Sequence, residues 1–146
     1  MQREIKTQIQ RDYARILQAI SKEPQFIIQI PPITKKNSQQ IIYRNGKPCI
    51  IPSKQYREYE KSAGYFLRPV QIDYGVNILY LFYMPTRRRV DEANLVNAAD
   101  DILVKYGVIT DDNSKIVVSH DGTRVLYDKE NPRTEIYITR LDLTSF

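Results

Sequence analysis

The first 22 residues carry a helical pattern of apolar positions. Apolar side chains recur three or four residues apart, which predicts an amphipathic helix over residues 3–22, and Pro24 ends it. The members of the stripe are Ile5, Ile9, Tyr13, Ile16, Leu17 and Ile20. We therefore expect an N-terminal extension, residues 1–24, that docks on a core domain of residues 25–146 or on a second subunit.

Shorter apolar runs follow, separated by turn residues. QFIIQI predicts a strand that Pro31-Pro32 stops, and a polar loop, TKKNSQQ, comes next. Asn45-Gly46 lies between two apolar arms, which predicts a β-hairpin. Ser53 then predicts the N-cap of a helix.

The middle of the chain predicts a buried strand followed by a helix. Residues 72–84 alternate and become apolar on both sides, which is typical of a central strand. The strand leads into an arginine run and Asp91, and residues 92–106 predict a helix that Gly107 stops. Three further strands are predicted from KIVVSH, TRVLY and TEIYITRL. The order favours one α/β (α+β) domain with a mixed β-sheet and packed helices.

Charge and composition narrow the class of protein. The net charge of +5 and the pI near 9.3 favour an anionic partner. Cys49 is the only cysteine, which excludes an intrachain disulfide, and the single His120 excludes a multi-histidine zinc centre. MQREIKTQIQ lacks the apolar run of a signal peptide or membrane span, so we expect a soluble, cytoplasmic protein with no membrane partner.

Residues suited to phosphodiester chemistry gather around the predicted central helix. Arg87, Arg88 and Arg89 can bind phosphates by charge and by bidentate hydrogen bonds. Asp91 and the later pair Asp111-Asp112 can supply oxygen ligands to a divalent cation. A cation held beside a polyanionic substrate is what phosphodiester hydrolysis needs, so the combination predicts a nuclease. The alternatives are that Asp91 only caps the helix and that Asp111-Asp112 only forms a turn.

The segment RRRVDEANLVNAADDILVKYGVITDD resembles the core of the RusA-type Holliday junction resolvases, or crossover junction endodeoxyribonucleases. That family pattern is an arginine run, Asp-x-Asp-Asn, a helix with a Lys and then Asp-x-Leu, a Gly and a downstream Asp-Asp. PPITKKNSQQ, SKQYREYEK and PRTEIYI resemble further family segments, so the resemblance spans roughly residues 26–140. It implies a homodimeric, Mg²⁺-dependent (or Mn²⁺-dependent) endonuclease of phage or prophage origin. Such enzymes resolve four-way DNA junctions in recombination and repair.

The resemblance also assigns catalytic metal ligands. Asp91 matches the first Asp of the family pattern, and Asp112 matches the second Asp of the downstream pair. The family's second Asp falls on Ala93, and its helix Lys falls on Asn97. Glu92 is a poor substitute, because it lies about 100° around the helix from that position.

Polar residues on the predicted helix can compensate for these changes. Asn94, Asn97 and Asp101 share one stripe, which is either a solvated face or a face towards the DNA. In the second case Asn94 and Asn97 contact DNA, and Asp101 or Asn94 completes the metal shell. Asp111 is a further candidate ligand. Mg²⁺ needs only one or two protein carboxylates when waters and phosphates supply the rest, so losing one need not abolish activity.

Two other segments are candidates for contact with DNA or for catalysis. Lys35, Lys36 and Asn37 lie in the loop that resembles the family's Pro- and Asn-containing segment, so we expect DNA contacts there. His120 could act as a general base near a metal-bound water. A turn at the Asp-Gly pair that follows is the simpler interpretation of that segment.

Two other functions remain open on the sequence alone. Ala93 and Asn97 favour a catalytically weak or inactive protein that binds branched DNA without cutting it. A generic basic phage DNA-binding protein is the third hypothesis, and it leaves the spaced Asp91 and Asp112 unexplained. Tight metal-dependent binding at those two acids separates the nuclease from both alternatives. Salt-resistant preference for junction over duplex separates the first two hypotheses from the third.

Overall fold

The structure is a computed structural model that describes residues 1–35 and 39–141, where three helices flank a mixed β-sheet. In chain order the elements are α1 (Gln2–Ala19), β1 (Phe26–Ile28), β2 (Gln39–Arg44), β3 (Lys47–Pro52), α2 (Lys54–Ala63), β4 (Val76–Met84), α3 (Glu92–Lys105), β5 (Val117–Ser119), β6 (Arg124–Tyr127) and β7 (Arg133–Arg140). This confirms the predicted class, a single α+β domain with helices packed on a mixed sheet.

Strand β4 is the centre of the sheet, as its apolar sequence predicts. On one side it pairs antiparallel with β7 over Val76–Tyr83, and β1 continues the sheet beyond β7. On its other side β4 pairs in parallel with β5 near its start and with β6 over Leu81–Met84 near its end. Parallel neighbours require crossover connections, and α3 lies in the crossover between β4 and β5.

Both faces of β4 are covered, which explains why it is apolar on both sides. Alternate side chains from Val76 to Phe82 are buried in a core that includes α2 and α3. On the opposite face Leu79 and Leu81 pack with Ile16, so α1 docks on the core, one of its two expected positions. Burying Ile16 contributes on the order of 1.5–3 kcal/mol. Neither α1 nor another helix of the described residues is both long and apolar enough to cross a membrane.

Several element boundaries differ from the predicted ones, and two of the differences have a local structural cause. β4 begins at Val76, whereas the prediction began at residue 72, because Ile72 forms an isolated parallel bridge with Ile109 instead of continuing the strand. α1 ends at Ala19, before the predicted residue 22. There the hydroxyl of Ser21 donates to the Gln18 carbonyl at 2.6 Å in a local turn that the apolar pattern does not reveal.

The predicted hairpin and the predicted N-cap are both confirmed. Strands β2 and β3 pair antiparallel, and Arg44 lies opposite Lys47 across the two-residue turn. Asn45 and Gly46 have φ angles of 52° and 75°, the left-handed conformation that a type I′ turn requires. The hydroxyl of Ser53 accepts a hydrogen bond from the Tyr56 N–H at 3.1 Å and so caps α2.

The buried side-chain amide of Asn77 on β4 is hydrogen-bonded to the end of β5 and to the turn that leads into β6. Asn77 is fully buried, and its side-chain oxygen accepts from the Ser119 hydroxyl at 2.6 Å and from the Asp121 N–H at 2.7 Å. Its amide nitrogen donates to the Asp121 carbonyl at 3.1 Å. These bonds satisfy backbone groups where the chain leaves the ladder between β5 and β6.

We expect Asn77→Ala to lower the free energy of unfolding by about 2–4 kcal/mol, because it leaves buried polar groups without partners. Asn131→Ala is the matched control, since Asn131 is exposed and should change stability by less than about 0.5 kcal/mol. Urea denaturation measures both. Equal stabilities of the two variants would contradict a structural role for the Asn77 amide.

Candidate functional site

The first candidate ligand, Asp91, lies directly before α3 without capping it. It occupies the N-cap position with an extended backbone, φ −80° and ψ 120°, but its side chain accepts no capping hydrogen bond. Among the described residues, its carboxylate accepts one long hydrogen bond, 3.3 Å, from the Asn94 amide. The carboxylate is exposed and its oxygens can still accept other partners. The interpretation of Asp91 as a helix cap is therefore not supported by its side-chain contacts.

The arginine run lies on the surface between β4 and Asp91. All three arginines are exposed, and among the described residues none of them forms an ion pair. The Arg87 guanidinium lies 4.1 Å from the centroid of the Tyr127 ring on β6. Arg87 and Arg88 also line an open cleft of about 400 Å³ with Thr86 and residues of β6. Their charge is thus available to an anion that occupies this cleft.

The predicted polar stripe of α3 lies outside the core, and Asp101 in it contacts Lys35, which follows Pro31-Pro32 in the loop after β1. Asn97 is exposed, while Asn94 and Asp101 are partly exposed. The Lys35 ammonium donates to the Asp101 carboxylate at 2.9 Å. The structure therefore brings together two residues that the sequence analysis assigned to different roles. The neighbouring candidates Lys36 and Asn37 lie outside the described residues.

The two acids after α3 differ in their local roles. Asp111 forms the turn: its carboxylate accepts from the Asn113 amide at 3.0 Å and from the Asp112 N–H at 2.7 Å. Those hydrogen bonds lower the pKa of Asp111, the bond from Asn113 most of all. The pKa of Asp112 is raised, first by local desolvation, then by the hydrogen bond with Asp111, with a smaller effect of the Asp101 charge. The negative charges of Asp101 and Asp111 thus add to the increase in the pKa of Asp112.

Within one chain, Asp91 and Asp112 lie at opposite ends of α3. The helix starts beyond the end of β4, and after it Ile109 pairs with Ile72, just before the start of β4. Its 14 residues alone span about 21 Å. Asp101, one turn from the end of α3, lies on the Asp112 side. Among the described residues, no three His, Cys, Asp or Glu side chains come together to hold a metal ion.

A buried network that the sequence analysis missed lies beneath the helix. The Tyr80 hydroxyl donates to one Asp100 oxygen at 2.6 Å, and the His120 Nε2 lies 2.8 Å from the other. Asp100 is only 6% exposed. The signal that could have found it is its spacing from Val96 and Leu103, which places a carboxylate on the core-facing side of α3.

His120 thus has a specific partner, and the turn after it is also present. The Thr123 N–H donates to the His120 carbonyl at 3.2 Å, and Gly122 has a φ of 90°. An added Cβ at Gly122 would lie 2.5 Å from the Leu79 side chain, so this turn requires glycine both for its conformation and for its space. The turn interpretation is confirmed, and a catalytic role of His120 stays a hypothesis.

We expect Tyr80→Phe to lower the free energy of unfolding at pH 8 by about 1.5–3 kcal/mol, since it removes a hydrogen bond to a carboxylate. Burial, and then the charge of Asp100, raises the pKa of Tyr80 well above 10.0. Above pH 10 the tyrosine of the unfolded chain ionises first, so this stabilisation is lost as the pH rises. The difference between Tyr80→Phe and wild type should therefore shrink between pH 8 and pH 10.5.

Urea denaturation at the two pH values tests this expectation. Tyr65→Phe is the matched control, because Tyr65 is 81% exposed and should show a difference below about 0.5 kcal/mol at both. A Tyr80→Phe difference that stays constant with pH would show that the Tyr80 hydroxyl does not resist ionisation in the folded protein.

Comparison of the chain with models of protein families and with curated proteins finds no match.

Proposed function

We propose that this chain is a Mg²⁺-dependent, structure-selective endonuclease that cuts four-way DNA junctions as a homodimer. The observation that carries the proposal is the Asp91 carboxylate, which stands at the N-cap of α3 without capping it. The exposed arginine run that precedes it, Arg87–Arg89, forms no ion pair with the described residues. An exposed acid next to cations that lack acidic partners suits a site for a metal ion and a phosphate together.

The acids of the candidate site have the chemistry that a magnesium ion requires. Mg²⁺ is bound by carboxylate oxygens, and waters or phosphate oxygens complete its shell. Asp112 follows Asp111, and the charges of Asp101 and Asp111 add to the desolvation that raises the pKa of Asp112, so a cation there would relieve the repulsion between these carboxylates. A bound ion would lower the pKa of an attacking water and stabilise the leaving oxygen. The contribution of the chain is to hold that ion with Asp91 and Asp112, with Asp101 or Asn94 as the compensating ligand.

A site that uses both Asp91 and Asp112 requires two copies of the chain, because one chain holds them at opposite ends of α3. A two-fold axis that places two α3 helices antiparallel side by side would bring Asp91 of one copy to Asp112 of the other. The same axis creates two equivalent sites. Two sites related in this way suit the two opposed strands of a four-way junction.

The arginines would position the substrate while the acids carry out the chemistry. Arg87 and Arg88 line one cleft, where guanidinium groups can bind backbone phosphates in a bidentate manner. Phosphate contacts fix the register of the DNA and carry no sequence information, so the shape of the junction would decide binding.

The second candidate function is binding of branched DNA without cleavage. The observation that favours it is the exposed, uncharged helix surface at Ala93 and Asn97, where the family pattern carries an Asp and a Lys. This hypothesis keeps the role of the arginines and assigns no catalytic role to Asp91 or Asp112.

Cleavage of a labelled synthetic four-way junction in Mg²⁺ and in Mn²⁺ tests the nuclease. We expect symmetric nicks, and a loss of about a hundredfold or more in rate for Asp112→Asn, since replacing even outer-shell groups of a metal site costs about 10–100-fold. Glu23→Gln is the control, because it removes an exposed charge at the end of the N-terminal extension. Tight junction binding with no cutting in either metal would instead establish the second candidate function.

Mixing two inactive variants tests the shared site. Asp91→Asn and Asp112→Asn should each be inactive alone. In a mixed dimer one site receives both substitutions and the other receives neither, so random exchange restores about a quarter of the sites. Nicking assays after joint refolding measure this recovery. If both acids of a site came from the same chain, every site would carry one substitution and mixing would restore nothing.

A further inference from the structure

The hairpin of β2 and β3, called the arm below, has one largely exposed apolar face. Among the described residues, β2 and β3 pair with each other and with no other strand. One face of the ribbon carries Ile41, Tyr43, Pro48 and Ile50. Of these side chains, Ile41 is 65% exposed, Tyr43 is 75% exposed and Ile50 is 66% exposed. A two-stranded ribbon is marginally stable by itself, so an exposed apolar face on one indicates a binding surface.

The charge around the arm identifies the kind of partner that this surface fits. Residues 24–57 contain six lysines and arginines and no acid, whereas the rest of the chain has sixteen cations and seventeen acids. The net positive charge of the protein is therefore concentrated in the segment that contains the arm. Such a segment attracts a polyanion and disfavours an acid-free copy of itself.

The tip of the arm holds two cations close together. Arg44 and Lys47 lie directly opposite each other across the Asn45-Gly46 turn, and neither forms an ion pair with any described residue. Like charges in directly opposed positions destabilise a ladder. An anion bound between them would remove that cost, and a backbone phosphate supplies one. Tyr43 precedes Arg44 and presents an exposed aromatic ring on the opposite face of the ribbon.

The arm starts beside the candidate site. Lys35, four residues before β2, is paired with Asp101 on α3 and lies 5.7 Å from the ring of Tyr56 in α2. The chain enters the arm after Lys35 and returns from it into α2, so both ends of the arm lie near the Asp101–Asp112 end of α3. DNA held by the arm would therefore lie next to those acids.

We propose that the β2–β3 arm binds branched DNA, with Arg44 and Lys47 on backbone phosphates and the Tyr43 ring stacked on an unpaired base. This inference rests on the proposed function for its choice of nucleic acid, and it assigns a role to residues that the nuclease chemistry does not use. Aromatic rings stack on any base, and unpaired bases occur where strands exchange at a branch point. The alternative is that the apolar face of the arm binds a second copy of the chain, and the experiment distinguishes this alternative from DNA binding.

The experiment measures binding of a fluorescent four-way junction by anisotropy in EDTA, where no cutting occurs. Tyr43→Ala should weaken binding by about tenfold, the usual loss when one stacking aromatic ring is removed. The double variant Arg44→Ala/Lys47→Ala should lower the slope of log affinity against log salt by about two, one for each phosphate that the arm no longer binds. A 2-aminopurine at the branch point should be quenched by wild type and not by Tyr43→Ala.

Matched controls carry the same substitutions elsewhere on the surface. Tyr65→Ala removes another exposed tyrosine, and Arg11→Ala/Lys22→Ala removes an exposed arginine and an exposed lysine far from the arm along the chain. Both should bind the junction as wild type does. Equally weakened binding by the controls would show a general effect of charge or aromatic surface and overturn the proposal.

The outcomes separate the arm from the nuclease. A wild type that binds through Tyr43 but never cuts would keep the arm and refute the nuclease. Unchanged binding by the arm variants of a protein that does cut would refute only the arm. If Tyr43→Ala instead dissociates a DNA-free dimer in sedimentation, the arm grips a second copy and the proposal is wrong. No binding of the junction by wild type would refute both.

Discussion

Burial of β4 on both faces is the constraint on which the rest of the structure depends. Side chains from Val76 to Phe82 point alternately into two cores, so both faces of this strand must be covered. The crossover after β4 places α3 on one face, and α1 covers the other. Two polar groups of this strand that remain inside, the Asn77 side chain and the Tyr80 hydroxyl, have hydrogen-bond partners, which avoids the cost of leaving them buried and unpaired.

The direction of that crossover determines where the charged residues lie. Because α3 runs back over the sheet, Asp91 and the arginines lie at the carboxyl end of β4, and Asp111-Asp112 lies at its amino end. In parallel α/β units the ligand-binding and catalytic residues usually lie at the carboxyl ends of the strands. Here Asp91 and Asp112 lie at opposite ends of β4 within one chain. A single site that used both acids would therefore need Asp91 from one chain and Asp112 from another.

The sequence predicts the elements well and their spatial relations poorly, for a physical reason. Local signals specify the Asn45-Gly46 turn, the Ser53 cap and the central strand, and all three are confirmed. Contacts such as Lys35 with Asp101 join residues 66 positions apart, and no periodicity encodes them. Asp100 shows the same limit, because its burial depends on Tyr80 and His120, which reach it from a strand and from a distant turn. Adjacent acids on one helix therefore acquire opposite environments.

Positive and negative charges are segregated along the chain, and this segregation relates the arm, the arginines and the acids to one another. Carboxylates repel phosphates, so Asp91, Asp101 and Asp112 cannot approach a DNA backbone closely unless cations offset their charge. In the proposed complex with DNA, the acid-free stretch 24–57 would supply that offset at one end of α3, and Arg87–Arg89 would supply it at the other. A divalent cation would then act only over the last few ångströms, where ligand geometry decides whether it binds. In the proposed nuclease, affinity for DNA and the capacity to hold a metal would thus belong to different residues, and a chain could lose the second while keeping the first.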